Sequence, residues 1–368
     1  MTANTQNTLT TKTRNLLPGV LTRLVTDSWL DFAVGHVNPL FSVNRTKARV
    51  VSIRKETVDA VSVELMPNAN WAGFVPGQFV PVKVSIKGVL HERCYSLTSD
   101  PTADTIRITV KKQANGLVST WIHEHLVVGD IIEIGAAGGD FVLPVPIPNK
   151  LLFIAGGSGI TPVYSMIKTA LKANPFADIV LAYYGRSYTD FIFLDEIEAL
   201  TETHAGLRIQ LCITGERMFA EDLVGRFTPA QLQGYCVDYA VRESFVCGPS
   251  GLIEAVIAHY EEKGLESRLH KEYFGLPPVE KDPNASAEVT YAKSGLTVET
   301  KAITLLAAAE EAGLKPKFGC RMGICNTCSC TKKEGVVRNV LTGEVDDTPN
   351  AQIRICVSEP LSAVTLDI

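Results

Sequence analysis

The chain has 368 residues, 46% of them apolar and 20% charged, with a net charge of −5. That length allows two or three domains of ~100–200 residues each. The composition is that of an ordinary globular protein, and the mild negative charge argues against a nucleic-acid binder.

The polar first fifteen residues lack an apolar signal core, and no apolar run reaches the ~20 residues that span a bilayer. A cytoplasmic protein is therefore expected. Five of the nine cysteines fall in the last fifty residues, and in a reducing compartment such crowding indicates metal ligation rather than disulfides.

Residues 1–44 fit none of the patterns that follow and read as an N-terminal arm. Residues 1–50 carry a net +4, leaving −9 for the remainder. Leu17, Leu21, Val25, Trp29 and Phe32 would form an apolar stripe if helical, close to Arg14 and Arg23. Pro18-Gly19 argues against a helix that begins before residue 20.

From residue 45 to about 146, short alternating runs such as Ala48–Arg54, Val61–Leu65, Phe79–Ser85, Thr105–Val110 and Ile131–Ile134 are separated by turn signals. That period predicts an antiparallel β-barrel or sandwich. Arg93-Cys-Tyr95-Ser96-Leu-Thr98-Ser99 stands at the end of one of its strands. A flavin needs an aromatic plate, a hydrogen-bond partner near N5 and a cation near its phosphates, which Tyr95, Ser96 and Arg93 supply. Val110-Lys111-Lys112 and Gly116-Leu-Val-Ser119-Thr120 add backbone amides and a hydroxyl for a pyrophosphate. The alternative is a surface strand with a solvated arginine.

Three prolines in Leu143–Lys150 mark a boundary. Over 147–268 strands alternate with helices, which predicts an α/β unit with a parallel sheet. Gly156-Gly157-Ser158-Gly159-Ile-Thr161 follows a buried strand and opens a helix, where a dinucleotide pyrophosphate is favoured. Arg186 and Ser187 follow the second strand, where the adenosine ribose is expected. Arg186 there suits a 2′-phosphate and so NADPH; a solvated Arg186 with NADH is the alternative. Cys247-Gly248-Pro249 ends a late strand at the same sheet edge, a place from which a thiol positions a nicotinamide, or else a structural cysteine precedes a turn.

Residues 269–285 read as a linker, and 286–368 as a compact α+β unit of β-grasp type. Cys320, Cys325 and Cys328 have the spacing C-x4-C-x2-C, and Cys356 follows 28 positions later. This is the ligand arrangement of a plant-type [2Fe-2S] cluster. A zinc knuckle would need a second C-x2-C pair. Cys330 stands outside the ligand set as a small buried residue.

The order of R-x-Y-S, G-G-S-G-I-T-P, C-G-P and C-x4-C-x2-C…C resembles the ferredoxin–NADP⁺ reductase superfamily with a fused C-terminal plant-type ferredoxin. The resemblance covers residues 45–368 and is nearest to the reductase components of oxygenases and fatty-acyl desaturases. It implies electron flow from NADPH through FAD to [2Fe-2S] and out to a partner. In that group's segment His270-Lys-Glu272-Tyr-Phe274, Glu272 contacts the flavin region, or else it is a solvated linker carboxylate. The arm resembles those of reductases serving membrane-bound acyl desaturases, so peripheral membrane contact through residues 1–44, at the inner membrane face, is one expectation. A covering helix packed on the other domains is another. A soluble Rieske or diiron oxygenase fed from NADH, and a redox sensor without turnover, are the competing functions.

Overall fold

The computed structural model describes residues 34–35, 38–114, 116–215, 223–274, 286–301, 304–323 and 326–368. The apolar stripe from Leu17 to Phe32 lies outside these residues. Asn38 to Asn44 run along the barrel, where the side-chain amides of Asn68 and Asn70 donate to the carbonyls of Leu40 and Ser42.

The first unit is built from β1 (Thr46–Lys55), β2 (Ala60–Pro67), β3 (Phe79–Ile86), β4 (Val89–Ser96), β5 (Ile106–Lys111) and β6 (Ile131–Ile134). They form one antiparallel sheet in the order β4-β3-β6-β1-β2-β5. An isolated bridge between Leu97 and Ile108 joins the two ends and closes the sheet on itself. Alternation puts Val50, Val63, Leu65, Val80, Val82 and Ile108 inside. Helix α1 (Leu117–His125) plugs the core with Val118 and Ile122.

The second unit is a parallel sheet of β7 (Lys150–Gly156), β8 (Asp178–Gly185), β9 (Leu207–Ile213), β10 (Leu223–Val224), β11 (Glu243–Gly248) and β12 (Leu269–Tyr273), ordered β10-β9-β8-β7-β11-β12. Helices α2 (Ile160–Ala173), α3 (Leu194–Thr203), α4 (Pro229–Tyr235) and α5 (Ser250–Glu262) connect the strands. Two hydrophobic clusters divide the residues of β7, β8 and β11 by alternation: Leu151, Phe153 and Phe245 lie in one, Leu152, Ile154 and Val246 in the other. That is why these strands read as unbroken apolar runs. Strand order reverses between β7 and β11, so a crevice opens at their carboxyl ends.

Residues 269–273, expected to begin a linker, instead form the sixth strand, paired in parallel with β11. The segment lacks the continuous apolar run of a buried strand because it is an edge strand with one protected side. Residues 275–285 lie outside the described set.

The third unit pairs β13 (Ala287–Tyr291) antiparallel to β14 (Leu296–Thr300) and parallel to the terminal β20 (Val364–Leu366). With β15 (Ser329–Glu334) and β18 (Ala351–Arg354) the sheet order is β14-β13-β20-β15-β18. Helix α6 (Leu305–Glu311) packs Leu305, Leu306 and Ala309 into its core. A small sheet of β16 (Val337–Asn339), β17 (Val345–Asp346) and β19 (Ser358–Pro360) completes it. This is the expected β-grasp arrangement.

Candidate cofactor sites in a three-sided cleft

A cleft of ≈ 660 Å³ lies where the three units meet, within the ~300–1,000 Å³ typical of cofactor sites. The barrel contributes Arg93, Tyr95 and Ser96 from the end of β4, Thr109 and Lys111 from β5, and the turn from Gly116 to Ser119. The parallel-sheet unit contributes Ser158, Thr161, Glu272 and Phe274, and the β-grasp unit Cys320, Arg321 and Met322.

Pairing along β3 and β4 explains the first group. Val80 lies opposite Tyr95 and Phe79 opposite Ser96, so the pleat holds the motif at a fixed register. Burial pushes the Tyr95 phenol well above its usual pKa, so it stays neutral as an aromatic plate. Arg93 donates to the carbonyls of Glu92, at 2.7 Å, and of Gly319, at 3.4 Å, beside Cys320. The strand that carries the flavin motif therefore touches the cysteine loop directly.

At the other end of the cleft, α1 begins at Gly116 with no side-chain cap. Its open amides face a region that favours an anion. Ser119 accepts from the Gln113 amide at 3.1 Å, which tightens the turn. Lys111 is held by Asp59 at 3.3 Å and Asp190 at 3.8 Å. The Val110 side chain is buried in the barrel core, and its carbonyl is engaged by His123. Neither Val110 nor Thr120 lines the cleft.

The glycines at the switch point serve close packing between two loops. A Cβ on Gly156 would meet Pro249 Cδ at 2.7 Å, and one on Gly159 would meet the Cys247 carbonyl oxygen at 2.1 Å. A Cβ on Gly248 would lie 2.9 Å from the Gly156 nitrogen. Gly157 adopts φ 53, the left-handed region that favours glycine. Thr161 donates to the Ser158 carbonyl at 2.9 Å and is buried.

Cys247 is fully buried in the core under this turn and does not reach the cleft surface. Burial pushes its thiol far up, so it carries no thiolate. Its strand neighbour Glu272 does reach the cleft. Burial raises the Glu272 carboxyl to about 8, and its Oε2 is enclosed without a hydrogen-bond partner. The reading of Glu272 as a solvated linker carboxylate is thereby overturned.

Arg186 is three-quarters exposed, with Asp190 3.7 Å away. Ser187 spends its amide and its hydroxyl on the Asp190 carboxylate, both at 3.1 Å. Both stand outside the cleft, after β8 at the carboxyl edge of the sheet.

In the β-grasp unit Cys320, Cys328 and Cys356 are buried. The Cys328 and Cys356 sulfurs are 3.2 Å apart, and the Met322 amide points at the Cys320 sulfur at 3.4 Å. Sharing a proton with Cys356 lowers Cys328 against the opposing effect of burial and raises Cys356. Among the described residues no group of three or more His, Cys, Asp or Glu forms a complete metal site. Cys325, the fourth expected ligand, lies outside them. Paired buried thiols met by backbone amides are the donor set an iron–sulfur cluster requires. Cys330 points away into the core, where burial pushes its thiol up to about 12.

Arg321 and Met322 were missed by sequence reasoning, because inside C-x4-C they read as spacers. Arg321 has φ 60, is paired with Glu310 and lies over the Phe318 ring at 3.8 Å. Its Nε is buried in the cleft wall without a partner. With the Glu272 oxygen, this leaves two orphaned polar atoms around a cavity of cofactor size, and the flavin fits there.

Closed barrel, parallel switch-point sheet and β-grasp unit around one cleft define a flavin- and nicotinamide-dependent oxidoreductase with an iron–sulfur outlet. Three family models match: an oxidoreductase FAD-binding domain over residues 48–143, an oxidoreductase NAD-binding domain over 153–257 and a 2Fe-2S iron-sulfur cluster binding domain over 289–361. An NADPH oxidoreductase of Mycobacterium tuberculosis is 33% identical, with 96% of this chain and 92% of that protein covered. A glycine betaine monooxygenase reductase subunit of Chromohalobacter salexigens is 31% identical over 88% of this chain and 95% of that one. In fold, phthalate dioxygenase reductase aligns with a TM-score of 0.57 at 24% identity, covering 88% of this chain and 97% of that one. The chain belongs to the ferredoxin–NADP⁺ reductase superfamily with a fused C-terminal [2Fe-2S] ferredoxin domain, the group that includes oxygenase reductase components. Among the described residues no helix is long and apolar enough to cross a membrane.

Proposed function

We propose that this protein conducts electrons from NADPH, through FAD and a [2Fe-2S] cluster on Cys320, Cys325, Cys328 and Cys356, to an oxygenase component. The observation that carries the reading is the single cleft in which the R-x-Y-S strand, the glycine-turn helix and the first cysteine of the cluster loop all meet. When bound, the flavin supplies the exchange between two-electron hydride chemistry and one-electron transfer.

The chain's own residues bind and orient. Tyr95 offers a neutral aromatic face, Ser96 a hydroxyl at the end of the same strand, and Arg93 a cation for phosphate. The α1 amides at Gly116–Ser119 receive the pyrophosphate. Glu272 holds its proton at neutral pH because burial raises it to about 8, so it presents a donor rather than a charge to the cleft. Cys247 packs as a floor beneath the Gly156–Gly159 turn, which would hold the dinucleotide.

NADPH is favoured over NADH by the charge of Arg186, an exposed guanidinium beside the Ser187–Asp190 turn, which suits a 2′-phosphate. Arg186→Ala should lower kcat/KM for NADPH by about tenfold and leave NADH within about twofold. Equal losses with both would assign the protein to NADH.

An oxygenase component is the acceptor favoured by the relatives, which include a glycine betaine monooxygenase reductase subunit and a 3-ketosteroid-9-alpha-monooxygenase ferredoxin reductase component. A membrane-bound acyl desaturase, with peripheral membrane contact through the arm, is the second arm of the proposal and rests on the sequence of residues 1–44. Liposome pelleting of the full chain against one lacking residues 1–37 tests the contact; equal pelleting removes it. The main reading is tested by anaerobic titration with NADPH: the flavin should bleach and the cluster should then give a reduced [2Fe-2S] resonance. Flavin bleaching with a cluster that stays oxidised would overturn it.

A further inference from the structure

A polar network at the seam between the barrel and the parallel-sheet unit lies outside the cleft and outside every motif in the sequence. Its centre is Glu196, in the first turn of α3. Arg107 of β5 clamps this carboxylate with both terminal nitrogens, at 3.1 and 3.2 Å. Arg54 of β1 donates to the same carboxylate, as does the Tyr164 hydroxyl from α2. Two barrel strands and two helices of the other unit thus converge on one side chain.

The placement is specific. Phe193, just before α3, adopts φ 63, a left-handed backbone that a non-glycine residue adopts only where its surroundings hold it. Its ring lies 4.8 Å under the Arg107 guanidinium, and the Tyr164 ring lies at 5.4 Å. Arg107 therefore packs against two adjacent rings, whose centroids are 4.6 Å apart, as well as being clamped by a carboxylate. Burial pushes the Glu196 carboxyl up, but the hydrogen bonds from Arg107, Arg54 and Tyr164 outweigh it and hold the group at about 2. It is charged throughout the working range.

Both ends of the network reach the cleft through short covalent paths. On the barrel side, the Arg107 Nε donates at 3.0 Å to Thr98, two residues beyond Ser96 of the flavin motif. On the other side, Tyr164 lies one turn along α2 from Thr161, which lines the cleft. The same helix face is tied to the barrel again by Ser165, which accepts from the Gly77 amide at 3.0 Å, and by Lys172, paired with Asp100 at 2.8 Å. Of these ties, the Glu196 network is the one in which a single carboxylate gathers donors from two barrel strands and from the glycine-turn helix.

We propose that Glu196 is a positioning residue: through Arg107 and Tyr164 it locks the flavin-motif strand to the glycine-turn helix and sets the distance between nicotinamide and flavin. This rests on the reading of the cleft as a hydride-transfer site. Misplacement of about 1 Å costs hydride transfer ~10²-fold, whereas the affinity for a dinucleotide held at the sheet edge depends little on the seam.

The test uses the FAD- and cluster-loaded full chain. Glu196→Gln keeps the shape and removes the charge; Glu196→Asp keeps the charge and withdraws it by one methylene. Anaerobic stopped-flow flavin reduction over a range of NADPH concentrations separates affinity from limiting rate. Glu196→Gln should lower the limiting rate by about 10–100-fold and weaken the long-wavelength nicotinamide–flavin charge-transfer absorbance. The NADPH dissociation constant should stay within about threefold and FAD content should be unchanged. Glu196→Asp should recover part of the rate. Amide exchange at residues 98–107 and 157–165 should rise in Glu196→Gln even without NADPH.

An unchanged limiting rate and charge-transfer band in a folded, FAD-replete Glu196→Gln protein would overturn the proposal. So would a slower rate with an intact band and unchanged amide exchange. If neither glutamate variant folds, Tyr164→Phe removes one donor and is judged by the same criteria. A wild-type protein whose flavin neither NADPH nor NADH reduces would refute the hydride-transfer reading itself, a failure distinct from that of the latch.

Discussion

Two regions of this molecule bury cysteine sulfur, and they use it in opposite ways. At the switch point Cys247 has no exposed surface and a carboxyl group alongside it, and its thiol is pushed far up. In the β-grasp loop Cys328 is nearly as buried, yet it faces Cys356 at 3.2 Å and shares a proton with it, which lowers one thiol of the pair and raises the other. Burial alone makes a thiol inert. A second thiol and inward-turned amides make it a ligand. The glycines differ in parallel: Gly156, Gly159 and Gly248 let two backbones touch, whereas Gly323, at φ 72, bends the cysteine loop against Val357 and Leu341.

The sharpest break of this comparison is Cys328→Ser. Cluster absorbance should vanish and reduction of cytochrome c should fall to background, while reduction of a flavin-directed dye survives. Equal loss of both activities would mean that electrons do not leave through the cysteine loop.

Next is Gly159→Ala. The new methyl meets the backbone of Cys247 at 2.1 and 2.4 Å, atoms that cannot rotate away. Thermal or denaturant unfolding should show a loss of about 3 kcal/mol, accompanied by weakened nucleotide binding. Wild-type stability would mean that the two loops are not in contact.

Glu272→Gln probes the carboxyl beside Cys247. Its folded pKa of about 8 lies above the ordinary 4.5, so between those values the folded chain holds a proton that the unfolded chain has released. Stability from this group is therefore full below pH ~4.5, falls as pH rises, and levels off above ~8. The FAD-free wild type should lose on the order of 1–3 kcal/mol relative to Glu272→Gln between pH 5 and 8. Parallel denaturation curves across that range would refute a buried Glu272.

The smallest effect is expected from Cys330→Ala. That sulfur packs among Val289, Ile353 and Leu366 and belongs to the core, so the cost should be about 1 kcal/mol with the cluster spectrum unchanged. Loss of the cluster would return Cys330 to the ligand set.

Much of the fold could be read along the chain because its periods are local. The alternation of Ala48, Val50, Val63 and Leu65 announces a one-sided strand, and the apolar run Leu151–Ala155 a strand covered on both faces. Strand β4 was less legible: Val89-Leu-His-Glu-Arg-Cys-Tyr-Ser has no clean alternation, since none of its residues before Ser96 is fully buried. β12 was missed because an edge strand shows only half a pattern.

The four-cysteine spacing and the R-x-Y-S, G-G-S-G and C-G-P motifs were determined by sequence alone, because each is a short run whose chemistry depends on neighbours within a few residues. Tertiary structure alone decided that Cys247 sits beneath the turn rather than at its surface, that Glu272 faces the cleft, and that Arg321 lines the same cleft. It also decided that Glu196 gathers Arg54, Arg107 and Tyr164. Burial, pairing and proton affinity are set by which segments meet, and those segments lie up to 226 positions apart.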